Sequence, residues 1–106
     1  MWKYSEELDT QALLQSEQPV IIVKHSNSCS ISSMALNRLV ASQQNLDAAS
    51  EVVLVDVIKN RSTSLRLADE LGVRHESPQV ILLSKGEVVY TASHFDIRPE
   101  KILSQL

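Results

Sequence analysis

The single cysteine of the chain, Cys29, separates a short apolar run from a serine-rich stretch. Residues 20–23 are all apolar and β-branched, which favours a buried strand, and Ser30 opens a segment with apolar residues at helical spacing. A cysteine at a strand-to-helix junction lies beside unpaired backbone N–H groups and the positive end of the helix dipole. Both stabilise a thiolate, which is the nucleophile of thiol chemistry. The position therefore predicts a reactive cysteine.

Ser32 stands three residues after Cys29, where a dithiol oxidoreductase carries its second cysteine. Its hydroxyl would donate a hydrogen bond to the Cys29 thiolate, but it cannot attack a disulfide. Two alternatives stay open: Ser32 as a first-turn serine that satisfies backbone N–H groups, and Cys29 as an inert half-buried thiol. The flanking Ser28 and Ser30 argue against an apolar burial site for the sulfur.

Composition narrows the class of protein. The chain has 106 residues, of which 43% are hydrophobic and 22% charged, as expected for one compact domain spanning residues 1–106. A net charge of −3 argues against a nucleic-acid partner, and no apolar run approaches the ~20 residues of a membrane span. A lone cysteine excludes an intrachain disulfide and a multi-thiolate zinc site. Together with a charged N-terminal segment, the free thiol predicts a cytoplasmic location.

The elements that must position Cys29 follow from patterning. Residues 5–14, with Ser5 as cap and Leu8 and Ala12 at helical spacing, predict a short helix. Residues 20–23 predict a strand, residues 24–28 a polar loop, and residues 30–46 one helix. Residues 52–57 predict a second buried strand. The carboxyl edge of such parallel strands is a common place for sites, and Cys29 lies there.

The second half of the chain predicts a helix, a hairpin and a final helix. Residues 61–64 offer a cap to a helix that carries Leu65, Ala68 and Leu71, and Gly72 is a left-handed stop. Residues 78–83 and 87–91 predict strands joined by a turn over residues 84–87. Pro99 suits the first turn of the last helix, whose Ile102, Leu103 and Leu106 would face inward. This order predicts an α/β protein with a central mixed four-stranded sheet flanked by helices.

The element order, with Ala68–Arg74 and Ser77-Pro78-Gln79 in the second half, resembles the thioredoxin superfamily. The resemblance spans nearly the whole chain and implies a thioredoxin-like fold in which a cis proline, Pro78, faces the active-site cysteine. Ser77 would then offer its backbone to a docking substrate in a short β-like pairing. Two features depart from ordinary thioredoxins: the second cysteine is absent, and the connection before Pro78 looks one residue longer.

A narrower group shares those departures. Lys24-His25-Ser26, Ser28 to Ser32, Arg74 to Gln79 and Ala92 to Ile97 together look like the monothiol bacilliredoxins, the YtxJ-like family. That family usually carries Thr-Cys-Pro-Ile-Ser at the nucleophile, whereas Ser28 and Ser30 replace Thr and Pro here. The change at Ser30 alters loop stiffness and adds a donor beside the sulfur, but it leaves the nucleophile in place.

Several further side chains are candidates for the site. We expect His25 near Cys29, where it would help to hold the negative charge. A metal site formed by the three histidines and Cys29 is the weaker interpretation, so no metal and no bound cofactor are expected. Each of the charged candidates could equally be a solvated surface group. The candidates for substrate binding are Lys24, Arg74, His75, Gln79 and His94.

The favoured function is monothiol thiol–disulfide exchange. Cys29 would attack a mixed disulfide between a target protein and a low-molecular-weight thiol, which the resemblance implies is bacillithiol. The predicted partners are thiolated proteins and the small thiol as co-substrate, in a role of oxidative-stress repair. Two alternatives from other classes stay open: an iron–sulfur carrier of the monothiol glutaredoxin type, and a redox-inactive thioredoxin-like binding module.

Overall fold

The structure, a computed structural model, describes residues 2, 4 and 9–106. Within this part of the chain, helices and strands alternate before a closing hairpin and helix. The strands are β1 (Val20–His25), β2 (Glu51–Asp56), β3 (Gln79–Ser84) and β4 (Glu87–Ser93). The helices are α1 (Thr10–Leu14), α2 (Ser30–Val40), α3 (Gln43–Ala49), α4 (Arg61–Leu71) and α5 (Pro99–Leu103), with a 3₁₀ turn at His94–Asp96.

The four strands form one mixed sheet in the order β2-β1-β3-β4. Strand β1 runs parallel to β2 and antiparallel to β3, and β4 runs antiparallel to β3. The register pairs Lys24 with Gln79, and Gln79 with Ser93. The carboxyl ends of β1, β2 and β4 and the start of β3 therefore meet at one edge of the sheet, which confirms the predicted architecture.

Two cores lie on opposite faces of the sheet. Side chains of a strand alternate between faces, so Ile21 and Val23 belong to one core and Val20 and Ile22 to the other. Helices α2, α3 and α5 cover the first face, and α1 and α4 cover the second. All six residues of β1 are buried, as expected for a central strand covered on both faces.

The predicted single helix over residues 30–46 is wrong, because it is broken in two. Helix α2 ends with its C-cap at Ala41, and Ser42 leaves helical geometry at φ −111° and ψ 22°. The Ser42 N–H then donates to the Leu39 carbonyl in a tighter turn before α3 begins. Neither glycine nor proline stands at this break, so the sequence carries no local signal for it.

Both ends of the chain differ from expectation. The predicted caps and contacts of Ser5 and Leu8 lie outside the described residues. Helix α1 is instead capped by Asp9, whose carboxylate accepts from the N–H groups of Gln11 and Ala12. At the other end Pro99 occupies the first turn of α5 and Ile102 is fully buried, as predicted, but Leu106 is 41% exposed because the helix ends before it.

Glycines fix the turns as predicted. Gly72 ends α4 in the left-handed conformation, with φ 66°. Lys85 and Gly86 both have positive φ in the tight turn between β3 and β4. A Cβ at Gly86 would stand 2.7 Å from the Leu14 carbonyl oxygen, so this hairpin tip lies directly against the end of α1. Beyond the turn, Leu82 pairs with Tyr90 and Leu83 with Val88, which leaves Val89 as an extra residue, a β-bulge in β4.

Candidate active site

Cys29 is the residue that precedes α2. It has extended backbone geometry, with φ −112° and ψ 121°, and its carbonyl accepts from the Ser33 N–H at 3.1 Å. The side chain is partly exposed. The backbone N–H groups of Ser32 and Ile31 lower the pKa of the Cys29 thiol, because they stabilise the negative charge of the thiolate. The predicted helix N-terminus thus acts on the sulfur through two specific donors.

Ser32 is completely buried in the first turn of α2. Its hydroxyl adds a smaller lowering of the Cys29 pKa, although no hydrogen bond of standard geometry joins Oγ to the sulfur. The same Oγ has no other partner in the part of the chain that the structure describes, so Ser32 does not act as a capping serine. The buried Ser32 hydroxyl therefore acts on the Cys29 thiol and is shielded from solvent.

His25 does not support the thiolate as expected. It is the last residue of β1 rather than part of a loop, and its ring is buried. Its Nε2 lies 3.1 Å from the Asn27 Oδ1, which also accepts from the Tyr4 hydroxyl at 3.1 Å. Because the amide oxygen only accepts, Nε2 is the donor in this contact, and the buried Nδ1 has no partner among the described residues. The groups that lower the Cys29 pKa do not include His25.

The Tyr4 side chain joins His25 and Asn27 beside the Cys29 loop. Its ring centroid lies 6.1 Å from that of His25. Burial raises the pKa of Tyr4, and the nearby Asp56 carboxylate raises it further, so the phenol remains a donor to Asn27. Sequence reasoning missed this contact because Tyr4 is far from the loop along the chain. In the loop itself, the hydroxyls of Ser26 and Ser28 are joined at 3.1 Å.

The Ser77–Pro78 peptide bond is cis, as the family resemblance implied. Pro78 is buried just before β3, and its carbonyl accepts from the His94 N–H at 3.0 Å. His94 has a left-handed backbone, with φ 55°, and an exposed side chain. From α2, the Arg38 guanidinium donates to the Phe95 and Ile97 carbonyls at 3.4 and 3.2 Å. These contacts connect the Ser77–Pro78 segment, the 3₁₀ turn and α2, the helix that follows Cys29.

Lys24 lies where the sequence did not predict it. The loop expected over residues 24–28 begins only after His25, and Lys24 is a fully buried strand residue on the α4 face. Its Nζ donates to the Ser64 carbonyl at 2.9 Å and to the His75 Nδ1 at 3.4 Å. Burial lowers the Lys24 pKa from 10.5 to about 8. A side chain in this position has no direct access to a substrate, which corrects the assignment of Lys24 to substrate binding.

Gln79 is buried beside Lys24 and also faces away from solvent. Its Nε2 donates to the Arg74 carbonyl at 2.9 Å, while its Oε1 has no partner among the residues described. Gln79 thus supports the segment before Pro78, and its predicted contact with substrate is not available to the buried side chain. By contrast, the Arg74 side chain is exposed and His75 is partly exposed, so both can meet a ligand.

Unpartnered polar atoms are concentrated around this edge of the sheet. Of the five buried side-chain polar atoms without a partner in the described residues, only the Thr10 Oγ1 lies elsewhere. A native fold satisfies most such atoms, so the concentration marks a place with unused hydrogen-bonding capacity. The other four atoms are His25 Nδ1, Ser32 Oγ, Ser77 Oγ and Gln79 Oε1.

The three histidines lie on different elements: His25 ends β1, His75 precedes the cis proline, and His94 begins the 3₁₀ turn. Over the residues that the structure describes, no group of three or more His, Cys, Asp or Glu side chains is arranged to hold a metal ion. Nor does any helix in that part of the chain combine the length and apolar character needed to cross a membrane.

A mixed four-stranded sheet, a cysteine preceding the helix after β1 and a cis proline before β3 define a thiol oxidoreductase of the thioredoxin fold. This chain is similar to a solved structure described as a candidate oxidoreductase with a thioredoxin fold. The TM-score is 0.79 and the sequence identity is 26%. The match covers 90% of this chain and 83% of that one. The chain belongs to the monothiol bacilliredoxin BrxC family, whose profile matches residues 3–102. The resemblance drawn from the sequence is thereby confirmed.

Proposed function

We propose that this protein removes a low-molecular-weight thiol, bacillithiol, from protein mixed disulfides through Cys29. The observation that carries the proposal is the thiol itself: a partly exposed sulfur whose pKa is lowered by the N–H groups of Ser32 and Ile31. The sequence holds no second cysteine, and a buried serine occupies the position three residues on. Membership of the monothiol bacilliredoxin family supports the small thiol as co-substrate.

The reaction consists of two exchange steps without net oxidation. The Cys29 thiolate attacks the sulfur of the small thiol in the mixed disulfide, and a new disulfide forms between Cys29 and the small thiol. The old sulfur–sulfur bond breaks, and the target cysteine leaves as a thiolate that takes a proton from solvent. A second small-thiol molecule, as thiolate, then attacks the sulfur of the bound one and releases Cys29 with a disulfide of two small thiols.

A lowered thiol pKa suits this chemistry. Exchange is fastest when the attacking thiol has a pKa near ambient pH, because a more acidic thiolate is also a weaker nucleophile. The two N–H donors lower the Cys29 pKa while the sulfur stays open to solvent. The Ser32 hydroxyl adds a smaller lowering of the same pKa. We infer a cytoplasmic role in the repair of thiolated proteins.

Intact-mass spectrometry tests the proposal. Reduced protein is mixed with a substrate protein loaded with bacillithiol, and in parallel with the same substrate loaded with glutathione. We expect a mass gain on Cys29 that matches bacillithiol, release of free substrate, and little transfer from glutathione. Transfer from neither substrate, with Cys29 still open to alkylation, would overturn the proposal.

Two variants complete the experiment. Cys29→Ser removes the nucleophile with minimal change in volume, and we expect no mass gain and an unchanged far-ultraviolet circular dichroism spectrum. Asn37→Ala changes an exposed residue of the same helix and serves as the matched control, which should transfer like the wild type. Transfer by the Cys29→Ser protein would show that another group carries the reaction.

A further inference from the structure

Two buried side chains hold the segment between α4 and the cis proline by hydrogen bonds. The Lys24 ammonium donates to the His75 ring, and the Gln79 side chain donates to the Arg74 carbonyl. Lys24 and Gln79 are cross-strand partners at the ends of β1 and β3, with both side chains buried. The strand that leads to Cys29 therefore also holds the segment that leads to Pro78.

The contacts of Lys24 determine which nitrogen of the His75 ring carries the proton. An ammonium group only donates, so the His75 Nδ1 is the acceptor and the neutral ring carries its proton on Nε2. The Ser64 hydroxyl, 3.4 Å from the same Nδ1, is a second donor to it. Burial lowers the His75 pKa, and the positive charges of Lys24 and Arg61 lower it further. His75 is thus held neutral and in one tautomer.

Burial of the Lys24 ammonium is unfavourable for folding because the charge loses its hydration. Within the described residues no carboxylate is paired with it, and its acceptors are a backbone carbonyl and a neutral imidazole. Among the residues that the structure describes, the charged or titratable groups that act on this cluster are Lys24 itself, His75 from the loop and Arg61 from α4. The facing strands contribute the uncharged Val55 and Gln79. A buried charge whose described partners carry no negative charge lowers stability, so its presence next to the Ser77–Pro78 segment favours a functional reason.

We propose that Lys24 is a positioning residue for the disulfide-exchange reaction: its buried ammonium holds the His75 ring, and through it the Ser77–Pro78 segment, at the sheet edge that carries Cys29. The inference rests on the proposed function for its kinetic part. Lys24 does not touch the thiol, and it is absent from the groups that alter the Cys29 pKa. Its effect on exchange is therefore separable from the reactivity of the sulfur.

The first test needs no activity. In a Cys29→Ser background, which removes titration of the thiol, amide resonances of Ser77 and His94 are followed by NMR from pH 6 to about 9.5. Because the Lys24 pKa is lowered to about 8, loss of its charge should shift both amides with that midpoint. Lys24→Met should abolish this transition. The same transition in the Lys24→Met protein would overturn the inference.

The second test measures transfer. At each pH, the second-order rate constant for removal of bacillithiol from a thiolated protein is divided by the rate constant for alkylation of Cys29 by iodoacetamide. In the wild type this ratio should fall above pH 8, and in Lys24→Met it should be flat and at least about tenfold lower at pH 7, with unchanged alkylation. A Lys24→Met ratio equal to that of the wild type would refute the positioning role.

A pair of substitutions at His75 isolates the acceptor. His75→Asn places an amide oxygen near the position of Nδ1 and should keep most of the transfer rate, whereas His75→Ala should behave like Lys24→Met. Equal loss in both would contradict the hydrogen-bonding role assigned to Nδ1. If the wild type transfers nothing from any thiolated protein, the proposed function fails. The NMR titration of the Ser77 and His94 amides still decides whether Lys24 holds the Ser77–Pro78 segment.

Discussion

The buried ammonium of Lys24 should make the stability of the protein rise with pH, and Lys24→Met should remove that rise. The folded-state pKa is about 8, below the unfolded value of 10.5. Between these values the unfolded chain binds more protons than the folded one, so the free energy of unfolding increases with pH. Below pH 8 both states are protonated, and the cost of burying the charge is present in full.

The size of the effect follows from the shift. A lowering of the pKa from 10.5 to about 8 corresponds to about 3 kcal/mol, at about 1.4 kcal/mol for each pH unit between the two values. Roughly 2 kcal/mol of this should be recovered between pH 7 and pH 10. Lys24→Met keeps a long side chain without charge, and replacing a buried charge in this way is often neutral or stabilising.

Urea denaturation followed by far-ultraviolet circular dichroism measures the effect. Wild-type and Lys24→Met proteins, both in a Cys29→Ser background, are compared at pH 7, 8, 9 and about 10. Other titrating groups, such as the Tyr4 phenol, are common to both proteins and cancel in the difference between them. From pH 7 to about pH 10, the free energy of unfolding of the protein with Lys24 should rise by roughly 2 kcal/mol relative to that of the Lys24→Met protein.

A difference that stays constant to within about 0.5 kcal/mol would refute the reasoning, because it would mean that folding leaves the Lys24 pKa near its usual value. Ser64→Ala is a useful companion. It removes the hydroxyl near His75 but keeps the carbonyl that accepts from Lys24, so the pH dependence of stability should survive.

Three further outcomes are expected. Gly86→Ala should lower the free energy of unfolding by about 2 kcal/mol or more, because φ is positive and the new Cβ meets the Leu14 carbonyl, while Gly72→Ala, with open space around its Cβ, should cost only about 1 kcal/mol. Equal losses in urea denaturation would contradict the close approach. Ser32→Cys should form a disulfide with Cys29 under mild oxidation, seen as loss of two hydrogens by mass spectrometry, and a persistently free thiol pair would refute the assigned spacing. The rate of Cys29 alkylation should reach half its maximum at a lower pH than in an unfolded peptide of the same residues, since the lowered pKa needs the folded helix. Identical midpoints would exclude the roles of the Ser32 and Ile31 N–H groups.

Local signals in the sequence were sufficient for most of the fold. The β-branched run before Cys29, the positive-φ turns at Gly72 and Gly86, and Pro99 at a helix start each act over a few residues, and each is confirmed. The position of Cys29 before a helix is of the same kind. The cis bond at Pro78 was predicted only from the resemblance to a family, because the residues around a proline do not by themselves determine its isomer.

Features that depend on distant contacts could not be predicted. Lys24 stands in a polar run, and its burial results from acceptors that α4 and the loop supply, Ser64 and His75. Strand β1 begins as a continuous apolar run without period-2 alternation, so nothing in its pattern predicts that Lys24 is buried. His25 was expected to support the thiolate, whereas Tyr4 and Asn27 engage it instead. The break at Ser42 similarly has no breaker residue to mark it.

The β-bulge at Val89 has a consequence for aggregation. Strand β4 is the last strand of the sheet, and Val88 and Val89 are 37% and 45% exposed on it. A flat, apolar outer strand would be a template for uncontrolled addition of strands from other molecules. The extra residue interrupts the regular row of N–H and C=O groups and increases the local twist, so an incoming strand cannot pair along its full length. At the opposite border, Tyr4 bridges to Leu54 of β2, so the chain itself occupies part of that border.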